Sequence, residues 1–272
     1  MSNLLRTEWL KLKNYPGFWW LMGMTVLSYP GINGMFYFVY KDQTANAKQA
    51  AQMLKMLLGN PFAFPEVFRT AAFLSSCFVT VPALLVIMLI TNEYTYKTNR
   101  QNVIDGWSRN EFLIAKFLNV IIISLIVVTL YSIVALTIGF INTGADVKDK
   151  FQLINYIGLF ALQTFAQLSF AFLLGLLIKR AFIALGVFIF YKIPVENISA
   201  ELLKKYVHPE AGRFLPTESS DLLTPVPAFL GRLDPKVYDH SLSIINQQVF
   251  ITIAYLLIFW GLVFWIYKKR DL

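Results

Sequence analysis

Long apolar runs alternate with short polar intervals along this chain. Phe18–Tyr40, Thr70–Thr91, Phe112–Ile141, Phe151–Ile178 and Gln247–Tyr267 are each long enough for a helix that crosses a bilayer, for which about 20 residues suffice. Ala181–Val195 is shorter: at about 1.5 Å per residue it reaches only about 22 Å. It spans either by Lys192 reaching back to the interface or by the helix continuing past Pro194 to Ile198. The pattern therefore predicts six spans, at residues 18–40, 70–91, 112–141, 151–178, 181–198 and 247–267. Pro30, Gly31 and Gly34 predict a kink and close helix packing in the first, with Gly23 a further packing position.

Ahead of the spans, Asn3 to Asn14 places Leu5, Trp9 and Leu12 on one face and Arg6, Glu8, Lys11 and Lys13 largely elsewhere. That is the pattern of a helix lying in the membrane interface, within a segment 1–17 that Tyr15-Pro16-Gly17 closes. Among the polar intervals, 41–69 predicts a short helix near Ala47–Leu58, ended by Gly59-Asn60-Pro61. The interval 142–150 is a short turn, and Lys179-Arg180 a tight basic one. The largest, 196–246, holds five prolines, an amphipathic stretch at Ser199–Val207 and an interfacial stretch at Leu222–Leu233.

The interval 92–116 is the most ordered in its signals. Thr98 with Gln101 and Ser108 with Glu111 are two capping boxes, and Asp105-Gly106 between them is a turn. A short helix at 99–105 is predicted between two spans, with Lys116 snorkelling to the interface from the next one. Tyr94, Tyr96, Val103, Ile104 and Trp107 give this excursion apolar contact surface, and Lys97, Arg100 and Arg109 give it positive charge. Glu93 at its root is expected to pair with Arg100, with Arg109 or with a base of the amino-terminal helix, or else to face water.

Composition agrees with a membrane class: 57% of residues are hydrophobic, 15% charged, and mean hydropathy is +0.56. Average soluble domains carry about 25% charged residues. The net charge of +8 comes from bases at the ends of apolar runs, where they meet anionic lipid headgroups, so nucleic acid is not an expected partner. Segments 1–17, 92–116, 179–180 and 268–272 hold half of the 24 Lys and Arg. By the positive-inside rule both termini and the 92–116 loop face the cytoplasm, and 41–69, 142–150 and 196–246 face out. The amphipathic start, with no small-residue cleavage site after the first apolar run, predicts no cleavable signal peptide.

Catalytic constellations are missing from the sequence. Cys77 is the lone cysteine, His208 and His240 stand far apart, and no metal-ligand spacing occurs, so no metal is expected. No Ser–His pair or Asp pair lies in the spans, and no phosphate-binding Gly-rich loop is present, so ATP is not expected on this chain. Gln163 and Gln167, at i and i+4 in an apolar run, are candidates for lining a translocation path or for bonding between helices.

Glu93-Tyr94, Thr98, Trp107-Ser108-Arg109 and Lys116, taken in order, resemble the cytoplasmic loop of ABC-2-type export permeases. These are the membrane subunits of bacterial ATP-binding-cassette exporters, including those for bacitracin resistance, lantibiotic immunity and sodium extrusion. The interfacial helix, the six spans and the basic ending Tyr267–Asp271 resemble that family as well. The resemblance implies an all-α polytopic membrane protein in the bacterial cytoplasmic membrane, non-enzymatic itself. It also implies a permease dimer, with a second copy or a sister permease, on two copies of a separate ATPase subunit that binds ATP and magnesium. Residues 92–111 would form the coupling segment, with Glu93, Tyr94, Thr98, Arg100, Val103, Ile104, Trp107 and Arg109 at the ATPase interface. The segment 199–246 is longer than a minimal member needs. An alternative is a membrane sensor or assembly scaffold that binds a partner through residues 196–246.

Overall fold

A computed structural model describes residues 2–46, 59–98, 106, 108–144, 147–232 and 234–269. The expected helix at 99–105, the Gln101 half of the first capping box and the expected helix at 47–58 lie outside the described residues. Among the described residues 81% are helical and none is in a strand.

Two helices open the chain, α1 (Ser2–Lys13) and the 31-residue α2 (Pro16–Asn46), which continues through Pro30. The expected second span is broken instead into α3 (Val67–Ser76) and α4 (Thr80–Thr95), inclined at 47°. Pro82 explains the break, because in an unbroken helix its ring would collide with the carbonyl of residue 78 and it has no N–H to offer there. The chain turns at 77–79 and restarts with Pro82 in the first turn of α4, where the missing N–H is harmless. Next come α5 (Arg109–Asn142) and α6 (Asn155–Ile178). The fourth span thus starts at Asn155 rather than Phe151.

The short fifth run gains its length by the second expected route. α7 continues from Ala181 to Tyr206, 26 residues, about 39 Å at 1.5 Å each. It passes Pro194 through a wider π turn at Tyr191–Val195, which takes up the proline without ending the helix. A 3-10 turn (Ala211–Phe214) and three short helices follow, α8 (Glu218–Asp221), α9 (Ala228–Gly231) and α10 (Pro235–Ser243). The chain then closes with α11 (Ile245–Lys269).

Among the described residues α5, α6, α7 and α11 are long and apolar enough to cross a membrane, and α3 with α4 makes a fifth if the bent pair is one span. α2, the expected first span, is not among them. Its length suffices, but Thr25, Ser28 and Asn33 dilute its apolar run. Asn33 is buried and donates to Ser75 of α3 at 3.0 Å. The expected close packing at Gly23, Gly31 and Gly34 is not found, since a Cβ at each would meet nothing within 4 Å.

α6 is the axis of the bundle: 67% of its apolar stretch is buried, against 28% for α5 and α11 and 17% for α7. One core cluster joins it to α4, α5 and α11 around Ile90, Phe112, Leu176 and Trp260, and a second joins α2, α3, α5 and α6 around Tyr29, Phe68, Tyr131 and Phe160. α4 and α6 approach closely because Gly175 has no side chain, and a Cβ there would overlap Ile90. Gly175→Val is therefore expected to destabilise by about 1–3 kcal/mol through overpacking. Gly158→Val, where a Cβ meets nothing within 4 Å, serves as the control. Thermal unfolding in detergent checks the pair; equal midpoints would mean that α4 can give way.

Candidate functional site

The described ends of the 92–116 loop are both built by local capping. Glu93 lies inside the last turn of α4, which runs on to Thr95, so the helix carries it rather than releasing it to a loop. Beyond Tyr96 the chain turns through Lys97, whose φ is +56°, and the Thr98 hydroxyl donates to Glu93 Oε2 at 2.5 Å. At the far end Ser108 caps α5 as expected. Its backbone N–H donates to Glu111 at 2.8 Å, and the Glu111 N–H donates to the Ser108 hydroxyl at 3.2 Å.

Two turns into α5, Lys116 does not snorkel. It is 3% exposed and sits between two buried carboxylates, with Nζ 2.5 Å from Glu8 Oε2 and 2.5 Å from Glu93 Oε1. Asn119, one turn further, donates to Glu8 Oε2 at 2.7 Å, and Lys11 donates to Glu93 Oε1 at 3.2 Å. Lys11, a base of the amino-terminal helix, is thus one of the expected partners that Glu93 meets, while Arg100 lies outside the described residues. Charges alternate through Glu8, Lys116, Glu93 and the partly exposed Lys11, so that each buried charge has an opposite one beside it. Beside it a pocket of about 220 Å³ opens between α1 and the end of α4, lined by Leu12, Tyr15, Leu89 and Tyr96 as well as the charged groups.

The amino-terminal helix differs from the expected amphipathic pattern at this point. Glu8 is 1% exposed, whereas Trp9 is 49% and Leu10 50% exposed. The signal was present in the spacing: Glu8 follows Leu5 by three and precedes Leu12 by four, so it shares their stripe. Asn119 had no signal, since a lone amide in an apolar run has many uses.

Of the other candidate residues, Tyr94 packs against the core with the Lys179 ammonium 4.9 Å above its ring. Arg109 donates to the carbonyl of Lys268 at 2.7 Å, and Phe112 stacks on Tyr267 at 5.0 Å, so α11 closes over the same corner. Arg100, Val103, Ile104 and Trp107 lie outside the described residues.

Gln163 and Gln167 stand elsewhere, sixteen and twelve residues before Lys179, or about 24 and 18 Å along α6 at 1.5 Å per residue. Both are buried and donate to Asp221 Oδ1, at 2.8 and 2.6 Å. Thr224 donates to Gln163, and Lys192 of the π turn donates to Gln167 at 2.5 Å. Glu196 accepts from the backbone N–H groups of Thr217 and Glu218, and Thr252 donates to the carbonyl of Ser219. The stretch 217–224 is thus folded into the body and not merely draped over it. Further out, Arg69 at the start of α3 lies between the rings of Tyr156 and Tyr238 and donates to the Tyr238 hydroxyl, which pins α10 in place.

Apolar helices of membrane-crossing length, packed around α6 and tied at one corner by a buried charge cluster, define a multi-pass helical membrane protein. A family model described as "ABC-2 family transporter protein" matches residues 4–195, and the chain belongs to that family. Such proteins are transport subunits that partner with an ATP-binding-cassette ATPase. The match takes in α1, the charge cluster, the 92–116 loop and the Gln pair, and stops at the end of the π turn in α7. No curated protein matches the chain.

Proposed function

We propose that this chain is the permease subunit of an ATP-driven exporter in a bacterial cytoplasmic membrane. Two permeases, alike or sister chains, pair with two copies of a separate ATPase that holds ATP and magnesium. Residues 92–111 are the segment on which the ATPase acts, with Arg100, Val103, Ile104, Trp107 and Arg109 toward the partner and Glu93, Tyr94 and Thr98 at the root. One observation carries this reading: Glu93, at the start of the loop, and Lys116, just beyond its end, are joined in a buried ion pair that also holds α1. A push on the loop is thereby delivered to α4 and α5 together. Export then follows from nucleotide states that favour inward-open or outward-open arrangements of the bundle.

In this reading α2 is the first of six spans, and both termini face the cytoplasm. Support for α2 comes from its lack of Asp, Glu, Lys and Arg between Phe18 and Tyr40, and from its exposed face of Trp20, Leu27, Met35 and Phe38. Gln163 and Gln167 line the outer part of the path, with 217–224 resting on them. The test is purification of the tagged protein from its host in mild detergent, followed by mass spectrometry. A stoichiometric P-loop ATPase is expected, and Trp107→Ala with Arg109→Ala is expected to lose it while the permease still inserts. A chain that purifies with envelope proteins alone would sink the reading and favour a scaffold.

A further inference from the structure

We infer that the cavity walled by the end of α7, the 3-10 turn, α8 and α10 binds a small molecule with an ammonium group on an apolar body, and that Glu218 is the partner of the ammonium. The inference goes beyond the exporter reading, which contributes only that this side of the molecule faces out. The cavity holds about 450 Å³, within the range of small-molecule sites. Residues 200–244 form it, beyond the stretch 4–195 that the family model matches. Pro209, Leu222, Val237 and Ile244 give it apolar walls. Most charges along it are answered within the fold: Arg213 lies 2.8 Å from Glu210, His240 3.1 Å from the same carboxylate, and Lys204 3.7 Å from Glu201. Glu218 is the exception among the acids. Its side chain is half-buried, and among the described residues its carboxylate meets no hydrogen-bond donor and no cation within bonding distance. Burial holds this carboxyl above the usual carboxylate range, Asp221 and Glu201 act in the same direction, and the Lys204 ammonium opposes them without cancelling them. A positive charge brought beside Glu218 is therefore attracted. Lys236, the remaining base of the lining, is exposed, so water screens it.

An occupant here bears on the stretch that rests on α6. Glu218 shares a four-residue helix with Asp221, and its backbone N–H is held by Glu196 of α7. An ammonium bonded to Glu218, with its apolar body against Leu222 and Val237, bridges α8 and α10. The experiment uses the full chain in lipid nanodiscs and dansylcadaverine, a primary amine on an apolar fluorophore. Dansylamide, which lacks the amine, and dansylglycine, which carries a carboxylate instead, are titrated beside it. Empty nanodiscs give the share taken up by lipid.

Saturable binding is expected for dansylcadaverine, about tenfold tighter than for either analogue. Glu218→Gln, which keeps the shape of a side chain that holds nothing else in place, is expected to weaken it about tenfold or more. Glu201→Gln, at an exposed acid beside Lys204, is expected to change it by less than about threefold. Val237→Trp fills the cavity from an exposed position and is expected to abolish binding. Equal binding of dansylamide would mean an apolar groove in which Glu218 has no part. Tighter binding of dansylglycine would give the site to its bases, and an unweakened Glu218→Gln variant would place the amine elsewhere. Each of these overturns the inference, as does the absence of saturable binding. None of them touches the exporter reading, which stands or falls on the ATPase that co-purifies.

Discussion

Replacing Lys116 with Met is expected to destabilise the folded protein by about 3–5 kcal/mol, the usual consequence of removing one partner from a buried ion pair. The side chain is 3% exposed, and its ammonium stands between Glu8 and Glu93, which are 1% and 4% exposed. With Met in its place two carboxylates face each other, and among the described residues Lys11, Asn119 and Thr98 remain as donors. Adding Glu8→Gln and Glu93→Gln to Lys116→Met should recover most of the loss, because a neutral group of similar volume in place of a buried ion pair is often close to neutral in stability. Thermal unfolding of the purified protein in detergent separates these cases. A Lys116→Met midpoint equal to wild type would mean that water reaches the cluster and screens it.

Asp221→Ala should release the 217–224 stretch. Asp221 is the shared acceptor for Gln163 and Gln167, and hydrogen bonds to a charged group contribute about 1.5–3 kcal/mol each. Alanine takes the Asp221 acceptor from both buried amides, leaving Gln167 its bond to the Ser220 hydroxyl at 3.1 Å, with Thr224 and Lys192 still engaging the amide oxygens. Asp221→Asn keeps an oxygen in reach and should behave more like wild type. Backbone hydrogen exchange over residues 211–224 is the measurement. Protection should fall sharply in Asp221→Ala, with cleavage at Arg213 by trypsin rising in step. Unchanged protection would place the hold on this stretch elsewhere, in Glu196 and Thr252.

The class of the protein was legible along the chain because bilayer crossing is a local property of sequence. Residue polarity and helix rise set it, and α5, α6 and α11 begin and end within a few residues of their apolar runs. Local capping was equally legible, as the Ser108–Glu111 box shows. Proline effects were half legible: Pro194 was seen as an obstacle to be passed, but whether Pro82 would bend the second span depended on where the chain could turn.

The partners of buried polar groups belonged to the tertiary structure alone. Glu8 and Lys116 are 108 residues apart, and Gln167 and Asp221 are 54 apart. No periodicity links such positions, because each side chain is chosen by what faces it across a helix contact. By itself the sequence determined an all-helical membrane protein, its polar loop and the kind of charge that loop carries. Only the packing decided that the amino-terminal helix turns a carboxylate inward to that loop's root, and that the outer segment folds back onto α6. In both places a polar group buried away from water must find its partner wherever the fold supplies one.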